Sequence, residues 1–121
     1  MPFFLKRVYD APESSDGFRV LVDRLWPRGI RKDALVIHEW LRDVAPSHEL
    51  RKWFHRDPSR FMEFADRYLE ELRTDEPHRL AVLRLQACEQ SYGRVTLVYA
   101  ARDPVHNHAR VLLEHLAESR R

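Results

Sequence analysis

Phe18-Arg19-Val20-Leu21-Val22 runs directly into Asp23-Arg24-Leu25-Trp26-Pro27-Arg28-Gly29, and this junction points to the architecture. The first five residues are mostly β-formers in a largely apolar run, as a buried strand requires. The seven that follow carry two guanidinium groups, a carboxylate, an indole and a Pro/Gly pair that restricts the backbone path. A buried strand that ends in a polar loop is the layout of a parallel sheet presenting side chains at its carboxyl edge, where ligands of open α/β sheets collect.

Upstream, residues 3–9 read as a first strand closed by Asp10-Ala11-Pro12, and Glu13-Ser14-Ser15-Asp16-Gly17 reads as a turn. Downstream, residues 31–35 fit one helical turn and residues 36–41 a third strand, ending before Asp43-Val44-Ala45-Pro46-Ser47. Ser47 can cap a helix that carries Leu50, Trp53 and Phe54. Asp57-Pro58 restarts the chain with a cap followed by proline. Phe61, Phe64, Ala65, Tyr68, Leu69 and Leu72 then recur at helical spacing with charges on the other faces. Thr74-Asp75-Glu76-Pro77 separates this helix from another that runs to about Gln90. Residues 95–101 are a strand, and Asn107 caps a final helix whose Val111, Leu112, His115 and Leu116 share a face, with residues 118–121 expected to fray. Strands alternating with helices imply one α/β domain over residues 1–121. The expected architecture is three layers, with a mostly parallel sheet flanked by helices, Rossmann-like or flavodoxin-like in broad outline.

The chain has 121 residues and is 44% hydrophobic, the size and apolar content of a single domain with one sizeable core. Lys and Arg number 21 against 19 Asp and Glu, a formal charge of +2, which disfavours non-specific nucleic-acid binding. Arginine supplies 18 of the cations and lysine only three, so planar donors able to fork onto carboxylate or phosphate abound. The single cysteine, Cys88, excludes an internal disulfide and lies in an apolar-periodic stretch that makes it a buried structural thiol. The absence of a long apolar run and of a leader pattern points away from the membrane and toward the cytoplasm.

Three polar groups follow the strands: Asp23, Arg24 and Arg28; Arg42, Asp43 and Ser47; and Arg102, Asp103, His106 and Asn107. If the strands are parallel, these meet on one edge. Arg24 and Arg28 are candidate anion clamps, Trp26 is a candidate for stacking on a ring, and Ser47, Tyr99, Arg102 and Asn107 are further candidate ligand-binding residues. Asp23, Asp103 and His106 are the acid/base candidates, and two carboxylates would suit hydrolase or glycosyl-transfer chemistry. The competing structural reading makes Asp23 part of an ion-pair network, Trp26 core and Asp103 a loop organiser. His55 stands at a helix break beside a capping Asp57. No H-E-x-x-H spacing is present and His106-Asn107-His108 is not the spread HNH arrangement, so no metal is assigned, the alternative being an ion held by His106 and His108 with His38, His48 or His55. No cofactor is indicated.

Residues 19–29, Trp40-Leu41-Arg42-Asp43-Val44-Ala45-Pro46-Ser47 with 50–54, His55-Arg56-Asp57-Pro58 with Phe61 and Arg67-Tyr68, and 97–103 with His106-Asn107 resemble the YeaO-like branch of the domain of unknown function family 488. The match covers nearly the whole chain and implies family identity without a mechanism. It departs at 55–57, where the family commonly places a glycine ahead of a histidine-aspartate-proline run, so no role passes to His55. Some members carry a transcription-regulator label, yet nothing here resembles a winged helix-turn-helix. The leading expectation is therefore a pocket for a small anionic or nucleotide-like ligand at the carboxyl ends of the strands. The alternatives are a nucleic-acid-binding or regulatory module and a non-catalytic interaction domain, the last able to form a homodimer through an apolar helix face.

Overall fold

A computed structural model describes residues 2–119. Strands β1 (Phe3–Arg7), β2 (Phe18–Leu21), β3 (Glu39–Trp40) and β4 (Val95–Tyr99) form one sheet in the order β1-β4-β2-β3, with every pair parallel. The sequence Val-Thr-Leu-Val-Tyr of β4 is buried throughout because it lies between two strands and is covered on both faces, the setting in which parallel strands become continuously apolar. The pairing Phe3 with Val95 and Phe18 with Val95 aligns the amino ends, so all carboxyl ends open on the same edge.

Four α-helices are described: α1 (His48–Arg56), α2 (Phe61–Thr74), α3 (Glu76–Tyr92) and α4 (His108–Glu118). Their starts follow the local chemistry. Ser47 Oγ accepts the Leu50 N–H at 3.2 Å, and the Asp75 carboxylate accepts the His78 N–H at 3.3 Å ahead of Pro77. Asn107 Oδ1 accepts the Arg110 N–H at 2.8 Å. Asp57 caps a short 3-10 turn, Pro58–Arg60, that leads into α2. Of the expected fraying end, Glu118 closes α4 and residues 120–121 lie outside the described residues.

Strand alternation sorts the core into two clusters. Phe3, Val20, Val22, Val95, Leu97 and Tyr99 pack with Phe64, Tyr68 and Leu72 of α2, Leu85 and Cys88 of α3, and Leu112 and Leu116 of α4. Each fully buried Leu or Phe contributes about 1.5–3 kcal/mol relative to exposure. On the opposite face Val8, Leu21 and Val98 meet Trp26, Ile30, Leu35, Ile37 and Trp40. The third layer is thus a loop layer, residues 23–38, over a sheet whose other face carries the helices. Residues 31–35 form turns and not the expected helical turn, and the third strand shortens to Glu39–Trp40. The ladder's last backbone bond on this side runs from the His38 N–H to the Arg19 carbonyl at 2.8 Å, and beyond it Arg19 diverts the remaining groups. Its Nε donates to the Val36 carbonyl at 2.6 Å, and its backbone N–H donates to His38 Nδ1 at 2.9 Å. Groups that would extend a ladder are thereby engaged by a side chain. Cys88 is buried, as expected, and burial pushes its thiol upward in pKa.

Gly17 sits between a buried ionic turn and β2 with φ at +68°, and a Cβ built there would fall 2.5 Å from the Arg94 carbonyl oxygen. That carbonyl accepts the Phe18 N–H at 2.9 Å, so it cannot withdraw without breaking the start of β2. Gly17→Ala is expected to destabilise the protein by about 1–3 kcal/mol from backbone conformation alone. Urea unfolding checks this; an unchanged midpoint would refute it.

Candidate functional site

The parallel register brings the loops after β1, β2 and β4 together with α1 and the start of α4, and a cleft of about 570 Å³ opens among them. Asp23, Arg24, Leu25 and Arg28 line it from the loop after β2, and Ala100, Ala101, Arg102, His106, Asn107 and His108 from the segment joining β4 to α4. Tyr9 enters from β1, while Ala45, Pro46, Arg51, Phe54, His55 and Phe64 complete the helix side.

Asp23 stands where the carboxyl ends of three strands converge. Its Oδ2 accepts the Ala100 N–H at 3.0 Å, and its backbone carbonyl accepts Trp40 Nε1–H at 2.7 Å. Its Oδ1 lies 3.1 Å from His108 Nε2, which is also 3.1 Å from the Val22 carbonyl oxygen. Both side chains are 15% exposed, and Oδ1 is buried without a hydrogen bond among the described residues although the imidazole nitrogen lies within ion-pair distance. One carboxylate oxygen is committed to tying β2 to β4.

The wall at residues 44–46 is held by side chains from three directions. Tyr68 donates its hydroxyl to the Val44 carbonyl at 2.5 Å, and burial raises that phenol well above its ordinary pKa. His78 Nε2 is 2.8 Å from the Ala45 carbonyl oxygen, while His78 Nδ1 faces the Asp75 carboxylate at 2.5 Å. The side-chain hydrogen bond with His78 is the main reason the Asp75 carboxyl is held below its usual range. Arg24 donates through Nη2 to the Ala45 carbonyl and through Nε to the Pro46 carbonyl, each at 2.9 Å. Arg24 therefore lines the cleft, but its guanidinium grips protein carbonyls where an anion clamp was expected.

Several other expectations change for equally local reasons. Trp26 donates Nε1–H to the Ile30 carbonyl at 2.7 Å and packs edge-on against Trp40, closing the smaller core and not the cleft. Tyr99 is buried in the helix-side core, because alternation along β4 turns it inward. Ser47 caps α1, and its backbone N–H donates to Glu71 Oε1 at 2.9 Å on the far side of the wall. Asp103 does not line the cleft. The backbone N–H groups of His106 and Val105 hold its carboxyl down at about 2, with further help from the His106 side chain, so it organises its own loop. Asp23 is the one carboxylate among the lining residues, and the paired-carboxylate arrangement is not assembled in the cleft. Asn107 caps α4 and donates to the Asp103 carbonyl at 2.7 Å while touching the cleft. His106 lines the cleft and meets Phe61 edge-on with centroids 5.1 Å apart.

Arg28 and Arg102 stand in the cleft as expected, and among the described residues neither has a side-chain partner. Arg51 and His55 join them from α1, likewise without partners. Tyr9, Arg51, Phe54 and His108 were not singled out as ligand contacts by sequence. Arg51 and His55 are spaced i, i+4, which places them on one side of a helix and was a usable signal. For His108 the signal was its place as first residue after the Asn107 cap. Among the described residues no three histidine, cysteine or acidic side chains converge as metal ligands, and no helix is long and apolar enough to cross a membrane.

A family model described as "Inactive DUF488-N3 subclade" matches residues 2–121. The uncharacterized protein YeaO of Escherichia coli strain K12 is 47% identical over 113 residues, covering 92% of this chain and 93% of the relative. The uncharacterized protein Rv3073c of Mycobacterium tuberculosis strain H37Rv is 50% identical over 110 residues, covering 89% and 87% of the two chains. No solved structure matches significantly.

Proposed function

We propose that this chain, which belongs to the family described as the inactive DUF488-N3 subclade, binds a small organic anion in the cleft at the carboxyl edge of its sheet and does not turn it over. The observation that carries the reading is the set Arg28, Arg51 and Arg102: three lining arginines whose side chains have no partner among the described residues, around a single carboxylate that already accepts the Ala100 N–H. Forked donors of this kind recognise carboxylate and phosphate groups. Binding without turnover fits the position of Asp103 outside the cleft, and it fits the engagement of Asp23 in joining two strands. The family description points the same way.

An amide NMR titration with benzoate, citrate and phenyl phosphate tests this. Saturable shifts are expected at Ala100, Ala101 and His108, and they should disappear in an Arg28→Ala/Arg102→Ala double variant. Both residues are exposed, so the variant keeps its fold. Shifts that centre elsewhere, or none from any of the three anions, would end the proposal.

A further inference from the structure

We infer that the anion this cleft selects is an aromatic phosphate monoester, a dianionic head joined to a flat apolar ring. The inference rests on the binding role proposed above and narrows its ligand. Two of the free arginines are fixed through their backbones by one network. Arg7 donates to the carbonyls of Ala100 and Ala101 at 3.1 and 3.0 Å, immediately before Arg102. The same guanidinium lies 4.9 Å from the centroid of the Tyr9 ring, and the Tyr9 hydroxyl donates to the Arg28 carbonyl at 3.2 Å. Arg28 and Arg102 thus project from anchored backbone, so less ordering is needed when an anion arrives. With Arg51 and the carbonyl-bound Arg24 they set four guanidinium charges against one already hydrogen-bonded carboxylate, an excess that a dianion matches better than a monoanion.

The same cleft exposes large apolar surface. Leu25 is 59% and Tyr9 53% exposed, and both line the cleft. Phe54 lines it as well, held in place by stacking on Phe64 with centroids 4.3 Å apart. Large side chains left open beside unpartnered arginines are what a ligand with a flat apolar body would cover. Inorganic phosphate would satisfy the charges and leave this surface wet, whereas benzoate would cover the surface with half the charge.

Calorimetric titrations of the full chain with phenyl phosphate, inorganic phosphate and benzoate at constant ionic strength discriminate these. Phenyl phosphate is expected to bind about tenfold or more tightly than either of the others. Arg102→Ala should weaken phenyl phosphate more than benzoate, and Leu25→Ala should weaken phenyl phosphate while leaving inorganic phosphate unchanged. Both positions are exposed, and circular dichroism verifies folding of each variant. Benzoate binding as tightly as phenyl phosphate, or inorganic phosphate doing so, would overturn the aromatic phosphate assignment and leave organic-anion binding standing. Absence of saturable binding by all three would overturn both.

Discussion

Asp16→Ala is expected to destabilise the protein by about 3–5 kcal/mol, the cost of removing one partner from a buried ion pair. Asp16 faces Arg19 at 2.5 Å and Lys6 at 3.1 Å, and the Arg19 side chain is only 3% exposed. Without the carboxylate, Arg19 would keep the Val36 carbonyl as its side-chain acceptor and hold an unneutralised charge under the loop layer. The turn that joins β1 to β2 would lose its organiser as well, since the Glu13 N–H also donates to Asp16 at 3.0 Å. Burial by itself raises the Asp16 carboxyl, but the Glu13 N–H, Lys6 and Arg19 together outweigh it and hold the group below its ordinary range. A folded pKa below the unfolded one adds stability above the unfolded value, near 4, and that stability is lost as pH falls through the folded value. The wild type should therefore lose stability more steeply than Asp16→Asn as pH falls below about 4. Part of the slope will persist, because Asp57, Asp75 and Asp103 are also held low. Urea midpoints measured for both proteins across that range check the claim; equal acid slopes would contradict it.

Arg24→Ala is expected to cost about 3 kcal/mol, from two charge-assisted hydrogen bonds to a buried wall. Ala45 keeps His78 as a donor, whereas the Pro46 carbonyl loses the one side-chain donor described for it. Arg24→Lys should not rescue stability, because an ammonium group cannot span two carbonyls as the planar fork does. The wall carries Ala45 and Pro46 into the cleft, so the same variant should weaken phenyl phosphate binding without removing a free arginine. Thermal unfolding and titration of both variants test this. A lysine variant as stable as wild type would sink the two-carbonyl clamp.

Much of this was legible because it is local. Caps at Ser47, Asp57 and Asn107 depend on a few consecutive residues, and the periodicities of α2 and β4 depend on which faces are apolar. Clustering at the carboxyl edge followed from parallel strands, which the alternation of strand and helix implied. The third strand was overextended because its apolar residues served a loop layer, a distinction that composition does not encode.

Residue order was enough to imply the parallel α/β architecture, the burial of Cys88 and the placing of Arg28 and Arg102 beside the carboxyl edge of the sheet. Packing of the whole chain was needed to set Arg24 in a wall, Asp103 in its own loop, and Asp23 beside His108, 85 positions further along. The physical reason is the range of the interactions. Helix caps and strand alternation act within a few residues and leave a mark on the sequence, whereas the partner of a guanidinium or carboxylate is chosen by whichever oxygen or N–H group the packed chain brings within about 3 Å.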